Sequence, residues 1–249
     1  MANGKLDFRR QFMKVHLVHL YPVEMNIYGD TGNRLVLEQR LRWRGYDVET
    51  HLVRAGDKLP NQTDIIIGGG GQDSGQSLIV GDLAKRQAQL QAMAKDGVSM
   101  LMICGMYQLF GHYFLTQDGA KLPGIGIFDL VTRASNTRLI GNITATTDFG
   151  AIVGYENHSG LTWLGPNQPA LGKTLRAQGN NGQDGTEGAR QINVFGSYLH
   201  GPILSKNPHF ADAILGQALA RQTGKTIELE PLDDHLEKEA AIRAQKRPR

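Results

Sequence analysis

Only one cysteine, Cys104, occurs in 249 residues. No disulfide can form within such a chain, and nothing in it calls for an oxidising compartment. No apolar run reaches the roughly 18–20 residues that a membrane-spanning helix needs. Residues 1–13 are polar and charged, without the apolar core of a secretory signal. A cytoplasmic protein that inserts into no membrane is the expectation. Internal repeats and low-complexity linkers are also missing, which favours one domain. There is no Gly-x4-Gly-Lys-Ser/Thr phosphate-binding loop, so any ATP-driven step must belong to another chain. Aromatic residues make up 7% and interleave no basic stripe. The pI near 9.0 therefore does not indicate nucleic acid. The first 13 residues carry +2 and the last eight +4, which leaves the body at −3 out of a total of +3. The basic excess belongs to two solvated ends.

What is present is an alternation of apolar runs and helical stretches. Residues 15–20 read as a first strand and 47–53 as a second, with a helix between them that carries Leu37 and Leu41 on one face and stops at Gly45. Residues 64–67 and 98–103 are continuous apolar runs, the pattern of strands buried on both faces. A helix over 74–95 joins them and ends before Gly97. This order predicts an α/β protein with a mostly parallel sheet flanked by helices. Later, 139–146 alternates weakly, 151–155 is short, and 191–198 is a strand leading to His200. Asn207-Pro208 opens a helix as cap and first turn, and 237–245 is a polar helix.

Both fully apolar strands end on chemistry. The first runs into Gly68-Gly-Gly-Gly71, whose amides can point at a ligand beyond the strand ends. The second ends at Cys104, followed by Gly105, where the chain must turn into a helix. A thiol there is held rigidly, and the helix N-terminus is expected to lower its pKa. A lone cysteine after an apolar strand is ordinarily a small buried hydrophobe, so catalysis needs a base and an oxyanion site. The glycine-loop amides with those of Gly105 or Met106 could serve as the second. For the first, His200, at the end of a late strand in Ser197-Tyr-Leu-His-Gly-Pro202, is the best placed of eight histidines. His16, His19 and His51 lie in strands, His112 in a helix beside the elbow, His158 in a turn, His209 at a helix start and His235 in the tail. Each of these has an ordinary structural reading.

Gly69-Gly-Gly71, Ile103-Cys-Gly with Tyr107-Gln108, Gly154-Tyr-Glu-Asn-His158 and Tyr198-Leu-His-Gly-Pro202 stand in the order seen in class I glutamine amidotransferases. The variant resembled is the cobyric-acid-synthase-like branch. Within it, Asn26-Ile-Tyr-Gly-Asp-Thr-Gly-Asn33 and Asn136-Thr-Arg-Leu-Ile-Gly141 look like the glutamine-hydrolysing subunits of lipid II isoglutaminyl synthases. The resemblance spans residues 14–225 and implies a flavodoxin-like fold for that domain. It leaves a polar extension at 1–13 and a charged, partner-docking tail at 226–249.

By this resemblance Cys104 attacks the side-chain amide of L-glutamine and His200 is its base and acid. Arg138 binds the substrate α-carboxylate, a role that suits a guanidinium fork, with Arg133 close enough to compete. Gly69, Gly70, Gly71 and Gly105 line the substrate. No cofactor is implied for this chain; ATP and Mg belong to a MurT-like Mur ligase partner, which would amidate D-glutamate of the lipid II stem peptide. Two positions depart from the wider family. Pro202 stands where many members carry the glutamate that orients the histidine, which leaves Asp30 as a candidate third member, with helix or turn capping as its other role. Met106 stands where the family usually has glycine. A stand-alone cysteine hydrolase, a cobyrinate-type amidotransferase domain and a non-catalytic scaffold are the rival readings.

Overall fold

The computed structural model describes residues 13–247. The extension at 1–13 thus lies outside the described residues, apart from Met13, which packs on the core. Strand β1 (Lys14–Leu20) is followed by helix α1 (Thr31–Trp43), β2 (Asp47–Val53), β3 (Ile65–Gly68), α2 (Asp73–Lys95), β4 (Ser99–Ile103) and the short α3 (Gly105–Leu109). Every residue of β3 and β4 is buried, as their unbroken apolar composition requires of strands covered on both faces. Leu37 and Leu41 of α1 are fully buried on the side of β1 and β2. Gly45 and Gly97 follow α1 and α2 with φ of +79° and +82°, a backbone that glycine adopts without strain.

The chain then leaves this sheet. β5 (Tyr113–Leu115), β6 (Lys121–Pro123), β7 (Leu130–Thr147), β8 (Gly150–Leu164), β9 (Gly172–Arg176) and β10 (Thr186–Glu187) build a second sheet around a long β7–β8 hairpin. The sequence reading missed this sheet. It expected two short pieces at 139–146 and 151–155, and a turn at His158. The reason is compositional: β7 and β8 bury Thr132, Thr144, Glu156, His158 and Thr162, so their core-facing positions do not read as apolar. His112 is corrected too, because α3 ends at Leu109 and His112 lies beyond it, paired with Asp129 at 2.9 Å.

β11 (Ala189–Gln191) and β12 (Val194–Ser197) return to the first sheet, as two strands in place of the single one expected over 191–198. The sheet order is β11-β12-β4-β3-β1-β2, parallel except for β11. The parallel part, read from β2, is the flavodoxin-like order, whose ligand crevice opens beyond the carboxyl ends of its first and third strands.

Helix α4 (Pro208–Thr223) starts with proline in its first turn and stops at Gly224, φ +68°. Asn207 precedes it as expected but caps nothing with its side chain. It is fully buried and bonds both backbone groups of Val153 in β8 (2.8 Å each), tying the start of α4 to the second sheet. Helix α5 (His235–Lys246) buries none of its residues, yet the segment leading to it is anchored. Arg40, 2% exposed, bonds Asp234 at 2.6 Å and Asp212 at 2.7 Å, and Arg44 reaches the Glu230 carbonyl at 2.7 Å. No described helix is long and apolar enough to cross a membrane.

Candidate active site

The carboxyl ends of β1, β3 and β4 converge on one point. Cys104 follows β4 with φ +50° and ψ −105°, a conformation that non-glycine residues hold only when the surroundings impose it. They do so here through β12, since the Cys104 amide donates to the Ser197 carbonyl at 2.8 Å. The next residue must be small: a Cβ on Gly105 would lie 2.7 Å from Met25 Cε and 3.1 Å from the Gly71 nitrogen. Met106, which stands where the family usually has glycine, is wholly buried, its Cγ 2.9 Å from where a Cβ on Gly68 would be.

Gly70 occupies the centre. A methyl group there would meet His200 Cε1 at 3.0 Å, Cys104 Cβ at 3.3 Å and Asp30 Oδ2 at 3.4 Å. The three residues that the sequence singled out are therefore gathered around one backbone atom, and the lack of a side chain makes the approach possible. Gly69 is confined in the same way, where a Cβ would run into the Met25 carbonyl, and Gly71, where it would run into Met25 Sδ. Of the amides expected to hold an oxyanion, Gly70 already donates to Asp30 Oδ2 at 2.7 Å, and Met106 faces the Gly69 carbonyl at 3.4 Å. Gly71 lines the cavity and the Gly105 amide is directed at the thiol.

His200 is held by β8 through reciprocal backbone bonds with Tyr155 (2.9 and 3.2 Å) and lies against the Tyr28 ring, centroids 4.3 Å apart. Its ring nitrogens have no hydrogen-bond partner among the described residues. Asp30 Oδ1 is 4.0 Å from Nδ1, beyond hydrogen-bond range. Asp30 stands at the N-cap position of α1 but makes no side-chain cap. Burial dominates the electrostatics. It pushes the Cys104 thiol up to about 12, assisted by the Asp30 charge and opposed by the Gly105 amide and Arg138. It lowers His200 to about 3 and raises Asp30 to about 6. The expected lowering of the thiol pKa by a helix N-terminus is overturned, because α3 has five residues and the desolvation of a buried thiolate outweighs its field.

Asp30 gives a testable sign. Between about pH 4 and pH 6 the unfolded chain has lost a proton that the folded chain keeps, so stability falls as pH rises through this window and stays low above it. The gap corresponds to about 3 kcal/mol. Asp30→Asn, which keeps an oxygen for the Gly70 amide, is expected to raise the melting temperature at pH 7 by roughly 5–10 °C. Its unfolding should also lose the decline over that window. A lower melting temperature at pH 7 would show the carboxylate to be stabilising.

Above Cys104 lies a cavity of about 370 Å³ lined by Tyr28, Gly71, Gln72, Asp73, Gln76, Gln108, Arg138, Asn157 and His158, among others. Arg138 enters it from a break in the β7–β8 register between Ala134 and Leu139, an irregularity that re-aims side chains, and it donates to Asn157 Oδ1 at 2.8 Å. Arg133 lies elsewhere, over the Trp163 ring at 6.0 Å. Gln76, reaching Gly105 O at 3.1 Å and Gln108 at 2.7 Å, braces the elbow from α2.

The residue that sequence reasoning missed is His158. It is 3% exposed and stacked on Tyr198 at 3.6 Å and 5°. Its Nδ1 is 2.7 Å from the Gly160 carbonyl, which can only accept, so Nδ1 carries the proton and Nε2 is left as an acceptor without a partner among the described residues. Burial lowers its pKa to about 4. Its place in the Gly154–His158 motif was the only signal in the sequence.

Comparison with known proteins gives the family of the chain. The profile of the CobB/CobQ-like glutamine amidotransferase domain matches residues 16–208. The GatD subunit of the glutamine-hydrolysing lipid II isoglutaminyl synthase of Streptococcus pneumoniae is 39% identical over 233 residues, covering 92% of this chain and 89% of that protein. The Staphylococcus aureus GatD subunit is 37% identical over 230 residues, covering 92% of each. Among solved structures, PurLQS from Thermotoga maritima superposes with a TM-score of 0.58 at 16% identity, covering 84% of this chain and all of the other, a likeness of fold. The chain is a glutamine-hydrolysing amidotransferase of the CobB/CobQ-like family.

Proposed function

We propose that this chain is the glutaminase subunit of a two-chain ligase that amidates D-glutamate of the lipid II stem peptide to D-isoglutamine. The observation that carries the chemistry is the convergence of Cys104, His200 and Asp30 on Gly70, beneath a cavity with one guanidinium and one carboxylate on its described walls. Arg138 pairs with the α-carboxylate of L-glutamine and Asp73 with its ammonium, so the pocket suits a zwitterion whose side chain reaches Cys104. His200 takes the thiol proton as sulfur adds to the amide carbon, and the Gly71 and Gly105 amides receive the oxyanion. The same proton then leaves with ammonia. Water, deprotonated by His200, releases glutamate from the thioester.

The resting site is poorly charged for this work. A thiol held at about 12 and an imidazole held at about 3 form a neutral pair, which suits a glutaminase that is idle until a partner tightens it. The partner is a MurT-like Mur ligase in the cytoplasm, which supplies ATP and Mg; the GatD names of the similar subunits support this reading. The experiment is to co-express the two chains and follow glutamate release and ATP hydrolysis with lipid II present. Glutaminase activity is expected to rise in the complex, whereas full activity that ignores the ligase would favour a stand-alone hydrolase. If α5 docks the ligase, Leu236→Glu, at a residue 76% exposed, should weaken the complex while sparing glutaminase activity. It is a better probe than removing residues 226–249, which would strip Asp234 from the buried Arg40 and destabilise the body itself.

A further inference from the structure

We propose that His16, His51 and Glu49 form a site for a zinc ion on the β1–β2 edge, separate from the glutaminase site. β2 is the edge strand, and β1 pairs with it in parallel, with His16 opposite Glu49 and Val18 opposite His51. Glu49 and His51 are two residues apart and so share a face of the sheet, and His16 lies on that face beside them. Thr50 points the other way, its hydroxyl donating to Glu38 of α1 at 2.7 Å. The trio therefore occupies the face of the sheet that α1 does not cover, in the middle of the two strands. Cys104 lies beyond their carboxyl ends.

The distances match the ion. His16 Nδ1 and His51 Nε2 are 3.3 Å apart, His51 Nε2 is 3.6 Å from Glu49 Oε1, and all three ligand atoms lie within 4.8 Å of one another. Tetrahedral zinc with ligands at 2.0–2.2 Å spaces them by roughly 3.3–3.5 Å. The imidazoles stack at 5.6 Å and 16° with their nitrogens already at that spacing. The remaining oxygen of Glu49 accepts from Lys14 Nζ at 3.0 Å, a contact that orients a ligating carboxylate. The backbone amide of His16 is fixed by Asp64 Oδ2 at 2.8 Å. The three residues are partly exposed, so an ion can enter and keep a water as fourth ligand. Lys14 places a positive charge beside the ion and weakens its binding, while Asp47, 3.9 Å from Lys14, offsets part of that charge. Bound zinc would clamp the edge strand to its neighbour.

The test uses the untagged full chain, stripped with a chelator and carrying Cys104→Ser to remove the thiol as a competing ligand. Titration with zinc alone, by calorimetry and against a chromophoric chelator, is expected to give one ion per chain with micromolar affinity and a raised melting temperature. His51→Ala and Glu49→Gln, at half-buried positions on the edge strand, should each weaken binding at least tenfold and abolish the rise in melting temperature. With Cys104 restored, the same substitutions should leave glutaminase activity within twofold. Absence of binding below 100 μM zinc, a concentration on the order of a weak site, would overturn the proposal. So would binding that survives both substitutions.

Discussion

Cys104→Ala and Cys104→Ser are both expected to release no detectable glutamate from glutamine while melting cooperatively near the parent temperature. Cys104 is 7% exposed and ends a fully buried strand, so either replacement keeps its volume closely. Neither relieves the φ of +50°, because all three residues carry a Cβ. The loss is therefore one of chemistry, since a hydroxyl in this buried site is a far weaker nucleophile than a thiol, and a methyl is none. A diazoketone analogue of glutamine should label the parent at Cys104, as peptide mapping would show, and should leave both variants unlabelled. Cys104→Gly separates the backbone from the chemistry. It should be as inactive as the others, while relief of the backbone strain offsets part of the stability lost with the buried side chain. More than trace glutaminase activity in any of the three would refute the thioester mechanism.

His200→Ala is expected to slow glutamine hydrolysis by at least about 100-fold, the usual worth of a positioned general base. The effect should fall on kcat more than KM, because His200 contacts the thiol side of Gly70 and is not among the residues lining the cavity wall. The pH profile carries a further signature. Burial keeps His200 neutral down to about pH 3 and the thiol protonated up to about pH 12. Between these limits the group that titrates in the catalytic cluster is Asp30, near 6. Activity should therefore fall below pH 6 as that carboxylate takes up its proton, and Asp30→Asn should remove this limb together with part of the rate. An acid limb that persists in Asp30→Asn would assign the titration to another group. An unchanged rate in Asp30→Asn would return Asp30 to a structural role, holding the Gly70 amide.

The parts of the site legible in the sequence share a cause. β3 and β4 are sandwiched between helices, so every position must be apolar and each strand stands out as an unbroken run with its end clearly marked. The residues just past each end, Gly68–Gly71 or Cys104-Gly105, then form a turn at the ligand edge of a parallel sheet. His200 could be picked out because it also ends a strand. The glycine loop, the elbow and His200 could be singled out on local grounds, whereas Asp30 was a candidate only through the resemblance and the strand order came from the structure.

His158 and Arg138 could not be assigned in that way. Both lie in the β7–β8 hairpin, whose core positions include a threonine and a glutamate hydrogen-bonded to residues far away in the chain, Tyr198 at Thr162 and Gly179 at Glu156, and a histidine stacked on Tyr198. A strand that buries hydrogen-bonded polar groups loses the apolar alternation by which strands are read. Arg138, the choice of the resemblance, reaches the cavity at a register break between Ala134 and Leu139, which no residue type announces. Charge state was equally beyond the local sequence. A cysteine before a helix suggests an activated thiol. Whether it is activated depends on how much water the assembled fold leaves around it, and here two packed sheets leave almost none. The residue types and their order along the chain singled out Cys104, His200 and the sheet that carries them. Only the tertiary structure put Arg138, the arginine that the resemblance favours, on the cavity wall and buried the thiol so that its pKa is raised, because both depend on contacts between segments distant in sequence.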